Sequence, residues 1–118
     1  MNMLGCQLTF YTRQDRKHGA ASMAEWLLHK ARELNIGGAT LIVANGGLGR
    51  DGKLHSARFF ELGEQPVLVQ VVLPEIEAQR LLAAVEEEDL QIFYVKIPVE
   101  FGVTNEKSKQ PAIDGKEH

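Results

Sequence analysis

Residues Pro66-Val67-Leu68-Val69-Gln70-Val71-Val72-Leu73-Pro74 decide the reading of the fold. The run is rich in valine, and a single glutamine interrupts it. Pro66 stands where a proline is tolerated, at a strand's first position. The stretch reads as a strand over Val67 to Leu73. Pro74 suits the first turn of a helix. Ala78, Leu81, Leu82 and Val85 then recur at i, i+3, i+4 and i+7 and draw one apolar stripe along that helix. Leu90 to Ile97 alternates, with Leu90, Ile92 and Tyr94 opposite Gln91, Phe93 and Val95, and predicts a last strand.

Upstream, the same signals recur. Cys6 to Thr12 sets Cys6, Leu8 and Phe10 against Gln7, Thr9 and Tyr11, the pattern of a half-buried strand. Arg13 to Gly19 is polar and basic and reads as a loop. Ser22-Met23-Ala24-Glu25 has the form of a capping box, and Met23, Trp26, Leu27, Ala31 and Leu34 follow at helical spacing. The helix runs from about Ser22 to Leu34, with Asn35 and Gly37 as its stop. Ala39 to Ala44 is a short apolar strand, and Ala57 to Leu62 reads as a further strand arm before a turn at Gly63-Glu64-Gln65-Pro66. The order β-α-β-(β)-β-α-β predicts an α+β, ferredoxin-like βαββαβ sandwich, an antiparallel sheet with two helices on one face. Apolar residues on the other face predict oligomerisation. Residues 1–101 form the expected domain, and the polar residues 102–118 an expected disordered tail.

Composition bounds the function. The chain has 118 residues, which suits one domain; 44% are hydrophobic and 25% charged, the profile of an ordinary globular protein. Thirteen Lys and Arg stand against 16 Asp and Glu, a formal net charge of −3. That balance argues against a nucleic-acid partner, which needs a strong basic field. The single cysteine, Cys6, excludes an intramolecular disulfide and a Cys-rich zinc module. The opening residues lack the basic and apolar regions of a secretory signal, and no apolar run approaches the roughly 20 residues that span a bilayer. The expected protein is cytoplasmic and not embedded in a membrane.

The stretch Gly46-Gly47-Leu48-Gly49-Arg50-Asp51-Gly52-Lys53 carries the most chemistry. Gly47 to Lys53 matches the first seven places of a phosphate-binding G-x-x-x-x-G-K loop. The eighth place is Leu54, which lacks the hydroxyl that would hold a magnesium ion. Gly47, Gly49 and Gly52 also spell the dinucleotide fingerprint, with Glu75 further on as its acid. That reading needs a helix after Gly52, where the sequence favours a strand. Two further readings compete with it: a surface loop in which glycine permits positive φ, and a loop whose backbone amides cradle phosphate oxygens while Arg50, Lys53 and His55 supply charge. Arg13, Arg16 and Lys17 form either a solvated turn or an anion-recognising cluster. His29, with Glu25 and Glu33 four residues to either side, is a wet helix face or a weak metal constellation. Glu86 to Asp89 read as a solvated helix end that opposes the helix dipole. No pairing of nucleophile and base supports catalysis, so the expected protein is not an enzyme.

Leu8-Thr9-Phe10-Tyr11, Asp15-Arg16 and Gly19 resemble the opening of a PII-like family known as domain of unknown function 190. Gly38-Ala39-Thr40, the loop Gly46 to Gly49, Lys53-Leu54-His55-Ser56-Ala57, Leu62 and Pro66-Val67 continue the resemblance, over about Gln7 to Ile97. It implies a homotrimer like those of PII proteins and CutA, with a small effector held between subunits. The effector implied is an adenine nucleotide (AMP, ADP, ATP or cyclic AMP). A loop after the second strand would signal occupancy to a membrane transporter, an ion channel or an enzyme. The ligand-binding residues expected are Gly46, Gly47, Gly49, Arg50, Gly52, Lys53, His55, Arg13 and Arg16. PII proteins also use a basic, glycine-rich loop after the second helix. Here that place is Val85-Glu86-Glu87-Glu88-Asp89-Leu90, whose four acids repel a triphosphate, so those contacts do not carry over. A CutA-like trimer with a divalent metal on His29, His55 or His118 is the alternative.

Overall fold

A computed structural model describes residues 2–48, 54–56 and 65–106. The elements run β1 Met3–Arg13, β2 Lys17–His18, β3 Ala21–Ser22, α1 Met23–Glu33, β4 Thr40–Val43, β5 Gly46–Leu48, β6 Leu54–Ser56, β7 Pro66–Leu73, α2 Glu75–Glu87 and β8 Phe93–Phe101. β1 pairs antiparallel with β7 on one side and β8 on the other, and β4 pairs antiparallel with β7, so the sheet order is β4-β7-β1-β8. Each helix connects two strands that have a third between them. This is the interleaved split βαβ of a ferredoxin-like α+β fold.

The alternation of β1 and β7 builds the core. Cys6, Leu8 and Phe10 stand opposite Leu73, Val71 and Val69, and all six are at most 2% exposed. Met23, Leu27 and Ala31 of α1, and Ala78, Leu81 and Val85 of α2, bury against them. Each large side chain fully buried in this way contributes about 1.5–3 kcal/mol. On the sheet's other face Tyr11, Phe93, Ile97, Val95 and Val72 are exposed. At its centre Thr9 is buried and accepts a hydrogen bond from the Gln70 amide at 3.3 Å. Gly5 is required where it stands: a Cβ there would collide with the Leu73 carbonyl and the Phe101 ring.

Helix α1 opens on the expected capping box. The Glu25 amide donates to the Ser22 hydroxyl at 3.1 Å, and the Ser22 amide donates to the Glu25 carboxylate at 3.3 Å. Both helices end in Schellman motifs with a non-glycine residue in the left-handed region, Asn35 at φ 60° and Asp89 at φ 59°. The Ile36 amide returns to the Ala31 carbonyl and the Leu90 amide to the Val85 carbonyl.

Three local expectations are corrected. Part of the basic Arg13–Gly19 loop is a small hairpin, in which Lys17 and His18 pair with Ser22 and Ala21 across Gly19 at φ 67°. The last strand begins at Phe93 rather than Leu90 and runs on through Pro98 to Phe101. Its late start follows from the Schellman turn, which draws Leu90 back onto the helix. Pro98 is tolerated because β8 is an edge strand. Pro74 is the N-cap of α2 rather than part of its first turn. The strand expected over 57–62 lies outside the described residues. So do residues 107–118 of the expected tail, whereas residues 102–106 are exposed and contain a turn. Among the described residues no helix is long and apolar enough to cross a membrane.

Candidate functional site

The antiparallel pairing brings three connections to one end of the sheet. β1 ends there at Arg13, which stands opposite Pro66, the first residue of β7. β4 ends beside it, with Val43 opposite Val67. β8 begins there, with Phe93 opposite Tyr11. The β1–α1 segment, the foot of the glycine-rich β4–β7 connection and the α2–β8 turn therefore share this end. Backbone hydrogen bonds stitch them: the Gln14 amide donates to the Gln65 carbonyl at 3.0 Å, and the Ala44 amide to the Pro66 carbonyl at 2.9 Å.

Within the β4–β7 connection, β5 and β6 form a hairpin. Gly46 pairs with Ser56, Gly47 with His55, and Leu48 with Leu54. The extended backbone at Leu54–Ser56 stands where a dinucleotide fingerprint requires a helix, so that reading of the glycines falls. Gly49, Arg50, Gly52 and Lys53 lie outside the described residues.

Arg13 and Arg16 reach the same end, and both have partners within the chain. Arg13 Nε lies 3.0 Å from Asp15 Oδ1. Arg16 Nη2 donates to the Gln91 carbonyl at 2.5 Å. His18 Nε2 meets Glu88 Oε1 at 3.1 Å, and its ring stands edge-on to Trp26 at 5.2 Å between centroids. Lys30 Nζ sits over Trp26, 5.6 Å from its centre, and binds Glu33 at 2.9 Å. This hydrogen bond lowers the Glu33 pKa and raises that of Lys30. The Thr12 hydroxyl, next to Arg13, is buried with no hydrogen-bond partner among the described residues.

Sequence reasoning identifies the basic run and the acidic run but not their meeting. His18 and Glu88 lie within those two runs, whereas Trp26 and Gln91 join them although no local motif marks either. The opposite sign of the two runs was the available signal. The pairing also gives α2 what its end lacks. The last turn holds no basic residue, so its carboxylates face the negative end of the helix dipole, and His18 and Arg16 supply donors from another element.

The metal alternative gains nothing from the geometry. Glu25 is engaged in the helix cap and Glu33 with Lys30, and no group of three metal-ligating residues occurs among the described residues. His118 lies outside those residues. A shallow depression lined by Leu28, Arg32, Asn35 and Ile36 opens where α1 ends, and it holds none of the predicted site residues.

At the opposite end of the sheet, Lys96 Nζ donates to Glu75 Oε2 at 2.6 Å and Gln79 donates to the same oxygen at 3.3 Å. The Lys96 hydrogen bond, then that from Gln79, holds the Glu75 carboxyl below its ordinary pKa. Burial, then the neighbouring Glu75 charge, raises the Cys6 thiol.

Comparison with known proteins points to one family. The family model DUF190, Uncharacterized ACR, matches residues 5–95. A UPF0166 protein of Aquifex aeolicus (strain VF5) is 25% identical over 97 residues, which cover 75% of this chain and 92% of that protein. The fold is similar to that of CPII from Thiomonas intermedia K12, a nitrogen regulatory PII-like protein solved with ADP, AMP and bicarbonate. The TM-score is 0.66 at 13% identity, covering 87% of this chain and 92% of that one. A PII-like signaling protein from Thermus thermophilus gives a TM-score of 0.62 at 16% identity, covering 85% and 91%. At these identities the two structures speak for the fold alone.

Proposed function

The chain belongs to the DUF190 family, and from that premise we propose that it is a PII-like regulatory protein that binds an adenine nucleotide and is not an enzyme. The observation that carries the reading is the convergence of three connections at one end of the sheet. One of them is basic and another rich in glycine. Glycines 46, 47, 49 and 52 allow close backbone approach to phosphate oxygens, and Arg13, Arg16, Arg50, Lys53 and His55 compensate their charge. The ligands named for CPII support the choice of AMP or ADP as first effectors to test.

The apolar, helix-free face supports assembly. A homotrimer closed through Tyr11, Val95, Ile97 and Val72 would bury what the protomer leaves wet. The effector then lies in the cleft between neighbouring subunits. The β4–β7 connection changes its population of states on binding and signals occupancy to a transporter, a channel or an enzyme. The cytoplasm is the compartment this role requires.

The test is a thermal-shift titration of the full chain with AMP, ADP, ATP and cyclic AMP, with and without magnesium, alongside sedimentation to give the mass. A ligand at 100 times its dissociation constant adds about 2.7 kcal/mol, a shift of several degrees for a domain of this size. A saturable shift with one nucleotide and a trimeric mass are expected. Absence of a shift with all four overturns the nucleotide reading, and a monomeric mass overturns the intersubunit cleft.

A further inference from the structure

The basic segment after β1 meets solvent with a donor of each of Arg13, Arg16 and His18 engaged by the chain itself. Arg16 is held by the Gln91 carbonyl, 75 residues away in sequence, and His18 by Glu88, 70 residues away. Arg13 is held by Asp15. Two of these three acceptors belong to the end of α2 and the turn after it. Glu86, Glu87, Glu88 and Asp89 stand at a helix C-terminus, where negative charge opposes the dipole, so helix stability does not account for them. The Glu88 carboxylate and the Gln91 carbonyl each take one donor, His18 Nε2 and Arg16 Nη2, that would otherwise be open to a phosphate.

We propose that the acidic end of α2 is an internal counter-anion: it occupies the basic β1–α1 segment in the free protein, and a phosphate-bearing effector must displace it to bind. The inference rests on the reading of this end as the effector site. The latch is weak by construction. The His18 and Glu88 side chains are 28% and 45% exposed, and a side-chain contact this open to water holds loosely. A multivalent anion outcompetes such a pair because it engages several donors at once. Displacement has two structural consequences. It takes Glu88 from His18 and so changes the edge contact on Trp26. It also frees the Gln91 carbonyl in the α2–β8 turn, which leads directly into Phe93, Val95 and Ile97 on the sheet's other face. Occupancy is thereby linked to the face proposed for assembly.

Glu88→Gln keeps the shape of the side chain and removes its charge. In the full chain at low salt, calorimetric titration with ADP and, separately, with inorganic pyrophosphate gives the two affinities. Emission from Trp26, the chain's single tryptophan, gives the state of the latch. Both anions are expected to bind about two- to fivefold more tightly to the variant, the range of an exposed pair. Emission from the ligand-free variant is expected to move toward that of the anion-bound parent. Glu77→Gln, at the other end of the same helix, controls for net charge. Unchanged or weaker binding of ADP to Glu88→Gln overturns the counter-anion and leaves the sensor standing. Equal tightening in Glu77→Gln overturns it in favour of a general charge effect. Tighter pyrophosphate with no ADP binding to either protein sustains the counter-anion and removes the nucleotide. Failure of both proteins to bind either anion overturns both readings.

Discussion

Leu8 and Phe10 point toward the helices and are fully buried, whereas Tyr11, Phe93 and Ile97, on the opposite face of the same pair of strands, are 39%, 43% and 44% exposed. Both faces are apolar, and hydrophobicity does not tell them apart. What differs is the layer above: α1 and α2 cover one face, and no element of the described residues covers the other. An antiparallel sheet meant for water carries polar side chains on its wet face. This sheet has aromatic and branched residues there instead, around a buried Thr9 held by Gln70. The described residues therefore form a two-layer sandwich without a third layer, the property on which the proposed trimer rests.

The largest effect belongs to the covered face. Phe10→Ala leaves a cavity under both helices and is expected to cost about 3–5 kcal/mol in denaturant unfolding. A loss under about 1 kcal/mol would mean that this face is not the core. Next comes the helix-free face. Ile97→Glu places an unpaired charge where subunits would meet, and is expected to weaken assembly at least about a hundredfold, ~3 kcal/mol. The variant should sediment as a folded monomer with a melting temperature independent of concentration. An assembly that survives would move the interface off this face. The smallest effect lies at the rim of the covered face, where Lys96 stands opposite Leu8 and binds Glu75. The Glu75 pKa is lowered in the folded state, so its contribution is full above the unfolded value of about 4.3 and is lost as pH falls through the lower folded value. Lys96→Met is expected to flatten that acid limb of the melting curve. The change should be small because Glu75 is half exposed. An unaltered acid limb would remove the pair from the stability of this rim.

Local chemistry is legible wherever partners lie within one turn or one strand. Ser22 and Glu25 are three residues apart, and the capping box they spell is the one that forms. The period-two pattern of Val67 to Leu73 sets Val67, Val69, Val71 and Leu73 on the buried face. The start of β8 is not legible, because Leu90 and Ile92 continue the alternation of Tyr94. The left-handed Asp89 and the Leu90 amide's return to Val85 keep Leu90 with the helix and delay the strand, and nothing in the alternation records that. Of the predicted site residues, Arg13 and Arg16 do reach the end where the connections converge. Their partners are not legible. Asp15 competes locally for Arg13, and the Arg16 contact with Gln91 depends on the route of the chain across 75 residues.

By itself the sequence determined the order of the two helices and of the four strands of the main sheet, the face of each central strand that turns inward, the cap that starts α1 and the mild acidity of the chain. These depend on backbone preference, side-chain periodicity and composition, which act over a few residues or sum over all of them. Tertiary structure alone decided that the basic β1–α1 segment meets the acidic end of α2, and that no element of the described residues covers the apolar outer face of the sheet. Both follow from the antiparallel order β4-β7-β1-β8, which carries distant segments to one end of the sheet and places both helices on one side of it.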